Sequence, residues 1–256
     1  MEKQALIVDP ILTARRRLFR WSVRSLMQAI MRTVSDCRIE GIDEIPAEGP
    51  LLVVMNHLGL LDAPLLLARF PRPLDAVMLD QMVEMPVLGK LLRWYGVIPV
   101  RRDHFDRQVL QRALAVLRGG RALAIAPEAG VSDSGALRQS RAGVAYLAVE
   151  SRAPLLPVAI TGTEKIHGMW DAAAGKLSLR GLDHLAFWRR EHPRLELKVT
   201  FGRPFTLEAV EKSWREKRRA LRAATDEIMG QVAALLPSQY RGVYLDRETS
   251  GPSSPP

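Results

Sequence analysis

Short apolar runs alternate along this chain with longer stretches in which apolar positions recur every three or four residues. The runs Leu51–Met55, Asp75–Leu79, Val97–Val100, Arg121–Ala126, Pro154–Thr161 and Leu195–Phe201 predict strands. The stretches Asp62–Phe70, Pro86–Tyr95, Phe105–Leu117, Arg141–Ser151 and Trp214–Leu236 predict helices. In the third of these, Val109, Leu110, Ala113, Val116 and Leu117 share one face, and Gly119-Gly120 closes it. Strands that alternate with helices predict an α/β fold: a single domain with a mixed, mostly parallel sheet flanked by helices. Residues 164–193 hold Trp170, Phe187 and Trp188 among many breakers and read as a lid or rim. Ser250–Pro256 has the composition of a disordered end.

The N-terminus adds an amphipathic helical segment. Phe19, Val23, Met27, Ile30 and Val34 recur at helical spacing, and Trp21 lies near the basic end. Residues 1–38 carry eight Lys/Arg against three acidic residues. A helix with an apolar stripe and an arginine-rich remainder is suited to an anionic membrane interface. The expected organisation is a basic membrane-surface segment over 1–38, a domain over 39–245 and a disordered tail over 246–256.

Four of the predicted strands end in groups with chemical potential. The first runs into Asn56-His57, with Asp62 five residues after the histidine at the start of a helix. A carboxylate bonded to one imidazole nitrogen fixes the tautomer and leaves the other nitrogen to take a proton. Gly96 to Arg102 ends in two guanidiniums, whose planar forks suit a phosphate, and its Pro99 predicts an edge strand or a strand end. The third strand delivers Glu128 and a turn at Gly130; the fourth, containing Pro157, ends in the small polar turn Thr161-Gly162-Thr163. In open α/β sheets, ligands bind outside such strand ends. The four together therefore predict one site.

In order and spacing these four elements, covering Pro50 to Thr163, resemble the motif blocks of the glycerolipid acyltransferase family that includes 1-acylglycerol-3-phosphate acyltransferases. The resemblance implies that His57 is a general base and Asp62 its orienting partner, with Asn56 beside them. It implies that Arg102, with Arg101 next to it, binds acceptor phosphate. It places Glu128, Gly130 and Ser132 on the substrate side and Pro157 beside the acyl donor. Its reaction moves an acyl chain from acyl-CoA or acyl carrier protein to a lysophospholipid hydroxyl. The chain departs from the pattern at Ala129, Gly130 and Val131, where the family usually has Gly, Thr and Arg. Either Arg101, Arg138 or Arg141 compensates for the lost arginine, or the acceptor is another lysolipid or a glycolipid. Gly59, where serine is frequent, reads as a minor departure. A basic module that binds anionic lipid or nucleic acid without catalysis is the alternative from another class.

Composition narrows this further. The 256 residues, 47% hydrophobic, suffice for one sizeable core. The net charge of +9 calls for an anionic partner; beside a lipid site, a membrane surface and a phosphorylated donor are favoured over nucleic acid. The single cysteine, Cys37, fits a reducing compartment, and the scattered histidines predict no metal. No dinucleotide or phosphate-loop fingerprint is present, so no cofactor is expected beyond the donor substrate. No apolar stretch approaches the ~20 residues that span a bilayer, and arginines interrupt the one that might pass for a signal sequence. The expected location is cytoplasmic, peripheral to the inner face of the membrane.

Overall fold

The computed structural model describes residues 13–101, 106–166, 170–171, 176–177, 194–207 and 214–245. In chain order the elements are α1 (Ala14–Val34), β1 (Ser35–Glu40), β2 (Leu51–Met55), α2 (Asp62–Arg69), β3 (Leu74–Leu79), α3 (Asp80–Glu84), α4 (Leu88–Tyr95), β4 (Ile98–Val100), α5 (Arg107–Arg118), β5 (Ala122–Ile125), α6 (Gly143–Ser151), β6 (Leu155–Thr161), β7 (Trp170–Asp171), β8 (Lys176–Leu177), β9 (Leu195–Phe201) and α7 (Trp214–Ala234). The tail expected beyond 245, Arg102, residues 1–12 and most of the expected lid lie outside the described residues.

Seven strands form one sheet in the order β1-β9-β6-β2-β5-β3-β4. β6, β2, β5, β3 and β4 are mutually parallel; β9 pairs antiparallel with β6, and β1 parallel with β9. The C-terminal ends of β2, β5, β6, β3 and β4 therefore share one rim. β2 is the middle strand, and all five of its side chains are buried because helices cover both faces. Leu52 and Val54 point into a core built with α5, α6 and α7. Leu51, Val53 and Met55 point into the core on the α1–α2 side. Pro99 sits on β4, the edge strand, where a missing N–H leaves no ladder bond unmade on the open side. The sheet also contains β1, which the polarity pattern does not announce: as an edge strand, its Cys37 and Ile39 are only partly buried.

The N-terminal segment belongs to this domain. α1 packs on α2 and α4, Met31 and Val34 are buried in the core, and the expected boundary at residue 38 falls inside β1. The orientation of α1 also departs from expectation. The stripe of Val23, Met27 and Val34 faces inward, but two of the arginines do so as well. Arg20 is buried, donating from Nε to the Tyr95 carbonyl (2.8 Å) and from Nη2 to Asp75 (2.7 Å), with its guanidinium 4.6 Å from the Tyr95 ring centre. Asp75 is also held by Arg121. Arg24 reaches the Pro71 carbonyl (3.3 Å). The outer side of α1 therefore shows Leu18 and Trp21, each 64% exposed, together with Leu26 and Ile30. Neighbouring α4 exposes Leu91 and Trp94, and the residue before it, Val87, is exposed as well; Trp94 meets Phe19 of α1 with ring centres 5.8 Å apart.

Candidate active site

β2 delivers His57 to the rim, and the chain turns through Gly59 into α2, whose first residue is Asp62. His57 Nδ1 lies 2.9 Å from Asp62 Oδ2. The Asp62 carboxylate is fully buried and held by three groups. The Gly59 N–H donates to Oδ2 (2.8 Å), the Thr163 hydroxyl donates to Oδ1, and the His57 ring supplies the third bond. A buried carboxylate with its oxygens so occupied stays oriented. Because Nδ1 faces an acceptor, it carries the ring proton in the neutral imidazole, and Nε2 carries the lone pair. The imidazole is 19% exposed, so a substrate reaches it while the carboxylate behind it stays dry.

Glu128 follows β5 and holds the backbone around the pair. Its Oε1 accepts the His57 N–H and its Oε2 the Arg138 N–H, each at 2.9 Å. It is 6% exposed, and burial pushes its carboxyl above the usual carboxylate range against the opposing pull of those two N–H groups. In the same loop the Ser132 N–H returns to the His57 carbonyl (2.8 Å), while the Ser132 hydroxyl donates to Ala136 O (2.6 Å). Ala129 at φ 56 and Gly130 at φ 150 make the tight turn between these contacts. Arg138 Nη2 donates to the Gly130 carbonyl (2.9 Å), which puts a guanidinium beside the turn where the family pattern has its arginine and this chain has Val131.

The remaining expected residues divide into those on the rim and those inside the sheet. Asn56 is fully buried, its Nδ2 donating to Ile160 O (2.8 Å) and its Oδ1 accepting from Ile160 N (2.7 Å). These bonds tie the ends of β2 and β6 together, and the side chain has no solvent contact. Pro157 is buried within β6, opposite Val54. Its carbonyl accepts from Gly202 N (2.9 Å), so its missing N–H also faces the β9 side and the ladder to β2 loses no bond. Both are structural positions of the sheet. Arg101 is on the same rim as His57, but at the edge strand, three strand spacings away, which is about 14 Å. Its Nε lies 3.4 Å from Asp80 Oδ2. Arg102 lies outside the described residues. Thr163 is the member of the site whose role the chain pattern hides. It reads only as part of a polar turn, 101 residues from the aspartate it holds.

Fold and site together define an α/β domain with a carboxylate-backed imidazole at the end of a central parallel strand. Among the described residues, the ring has no hydrogen bond to a serine or cysteine nucleophile. A family model described as Acyltransferase matches residues 36–161. A chloroplastic 1-acyl-sn-glycerol-3-phosphate acyltransferase of Brassica napus is 28% identical over 131 residues, 50% of this chain and 38% of that protein. A 1-acyl-sn-glycerol-3-phosphate acyltransferase of Borreliella burgdorferi is 24% identical over 127 residues, 49% of this chain and 51% of that one. The chain thus spans less than two thirds of the length of these relatives. The crystal structure of PlsC, a 1-acyl-sn-glycerophosphate acyltransferase from Thermotoga maritima, shares the fold with a TM-score of 0.57 at 20% identity, over 85% of this chain and 83% of that one. Over residues 36–161 the chain is thus similar to the acyltransferase family, and its fold is shared with PlsC.

Proposed function

We propose that this chain transfers a fatty acyl group from acyl-CoA or acyl carrier protein to the free hydroxyl of a lysophospholipid, with 1-acylglycerol-3-phosphate giving phosphatidic acid. The observation that carries this reading is the 2.9 Å bond between His57 Nδ1 and the fully buried Asp62, with the imidazole itself partly exposed. Nε2 takes the proton of the acceptor hydroxyl as its oxygen attacks the thioester carbonyl. Asp62 stabilises the imidazolium so formed. The tetrahedral intermediate collapses, its C–S bond breaks, and the imidazolium returns the proton to the departing sulfur. The products are an ester and a free thiol. General-base catalysis of this kind contributes on the order of 10²–10⁴-fold. The Gly162 N–H is already donated to Glu164 (2.7 Å), which favours the Gly130 N–H as the oxyanion donor of the two glycines that end the strands.

The acceptor phosphate is the charged handle. Arg101, with Arg102 after it, serves from the edge strand; Arg138 serves from beside Gly130, in support of its compensating for Val131. Holding the phosphate positions the hydroxyl, an effect worth several kcal/mol and about 7–11 kcal/mol at best. The valine at 131 also favours a second reading with the same chemistry on another lysolipid or a glycolipid.

Peripheral association with a membrane is part of the same proposal. No helix among the described residues is long and apolar enough to cross a bilayer. Instead α1, α4 and the residue before α4 turn Leu18, Trp21, Leu26, Leu91, Trp94 and Val87 outward. Beside them, Arg15, Arg16, Lys90 and Arg93 line a recess of about 520 Å³. Apolar side chains flanked by cations suit an anionic interface.

The test offers the purified protein a panel of lysolipids with acyl-CoA or acyl carrier protein, comparing it with His57→Ala. Histidine-dependent esterification of one acceptor supports the proposal and identifies acceptor and donor. Failure with every pair, combined with steeply salt-dependent binding indifferent to His57, supports the non-catalytic basic module instead.

A further inference from the structure

The segment after α7 reaches back to the site. Tyr240 donates its hydroxyl to Glu164 Oε1 (2.8 Å), and Glu164 Oε2 accepts the Gly162 N–H (2.7 Å). The next residue, Thr163, is fully buried and donates to Asp62. The turn has little freedom on its other sides. Gly162 adopts φ +94, and a Cβ there would lie 2.1 Å from Glu196 O; a Cβ on Gly59 would lie 2.5 Å from Thr163 O. Thr163 thus touches both the carboxylate and the glycine whose N–H bonds the same carboxylate. Tyr240 also accepts the Leu137 N–H at its backbone carbonyl (2.9 Å). Three residues on, Val243 donates to Leu137 O (3.3 Å). The Tyr244 hydroxyl accepts from Ser140 N (3.3 Å). One short C-terminal stretch therefore holds both the loop that carries Glu128 and the turn that carries Thr163.

We propose that Glu164 and Tyr240 are positioning residues for the His57–Asp62 pair, their hydrogen bond fixing the 162–163 turn in the place from which Thr163 orients the Asp62 carboxylate. The consequence for acyl transfer rests on the function proposed above. Neither residue lies within the stretch matched by the family model, which ends at 161. The bond links two chain segments 76 residues apart. Its loss leaves the core intact, because only a hydroxyl and a half-buried carboxylate are involved, but it frees the turn that the dyad leans on.

Tyr240→Phe, Glu164→Ala and the double variant test this in the full chain. Three readouts are needed: the proton resonance of the His57 Nδ1–H, thermal unfolding, and steady-state kinetics. In the unmodified protein that proton is expected downfield through its bond to Asp62. The expected result is an upfield shift or broadening in both single variants, with unfolding temperatures close to the unmodified chain. The turnover number falls about tenfold, the size of one lost hydrogen bond, while KM is unchanged. Because Tyr240 acts through Glu164, the double variant is no slower than Glu164→Ala. An unchanged resonance in both variants overturns the proposal, as does its absence from the unmodified protein, or an additive double variant. The resonance is read without turnover. Silence of the unmodified protein in the transfer assay therefore counts against the proposed reaction and leaves the positioning claim to be decided by the spectrum.

Discussion

Thr163 and Asp62, 101 residues apart in the chain, share a buried hydrogen bond at the rim of the sheet. The bond matters because Asp62 has no solvent contact and its other oxygen is already divided between His57 and the Gly59 N–H. Thr163→Val keeps the shape and removes the donor. Turnover is expected to fall about 10–100-fold, the kinetic equivalent of a lost bond to a buried charged group, with little change in KM. Steady-state kinetics on the folded variant check it.

Gly59 is the other contact of that turn, and the geometry makes its substitution more than a minor departure from the family pattern. A Cβ at this position would stand 2.5 Å from the Thr163 carbonyl oxygen. Gly59→Ser, which restores the residue frequent in the family, is expected to destabilise this chain by about 1–3 kcal/mol through overpacking. It should lower turnover as well, because it pushes Thr163 away from Asp62. Denaturant titration and the transfer assay read the two effects separately.

Ala129 stands where the family has glycine, and it sits in the left-handed region at φ 56. A residue with a Cβ costs about 1–2 kcal/mol there, and glycine loses roughly 0.5–1 kcal/mol of that relief to its freer unfolded state. Ala129→Gly is therefore expected to stabilise the protein by up to about 1 kcal/mol, measured as a higher midpoint of urea unfolding.

Glu128 gives stability a pH dependence of defined sign. Burial raises its carboxyl in the folded state above the value it has in the unfolded chain. Between those two values the folded protein binds more protons than the unfolded one, so stability falls as pH rises through this window. Glu128→Gln lacks this contribution. The stability difference, unmodified protein minus variant, should be greatest at acidic pH, decline as pH rises through the folded-state value, and then level off. Unfolding titrations of both proteins from acidic to neutral pH test it, and a difference that grows with pH contradicts it.

How far the chain pattern reaches can be judged from particular residues. His57 and Asp62 are separated by one turn of chain, so their pairing is local and the strand–helix junction announces it. The mostly parallel sheet and its shared rim follow from apolar runs alternating with amphipathic helices, and of the edge strand or strand end that Pro99 predicts, the sheet shows the edge strand. The partners of Glu128 are backbone N–H groups, one of them 71 residues away, and no side-chain pattern encodes a backbone donor. Asn56 and Pro157 look like ligand positions because they lie in matched motifs, yet their atoms are engaged within the sheet. Periodicity also assigns arginine to solvent. In α1 this fails because Asp75, 55 residues on, supplies a buried carboxylate that draws Arg20 inward and leaves Leu18 and Trp21 outside.

The central claim is that the Asp62-backed imidazole of His57 removes the acceptor proton. Its most direct measurement is the rate of acyl transfer to 1-acylglycerol-3-phosphate by His57→Ala and by the unmodified protein, with each thioester donor and with folding verified by circular dichroism. The account predicts a loss on the order of 10²–10⁴-fold or more with the fold intact. Transfer by the folded alanine variant at the unmodified rate would contradict it.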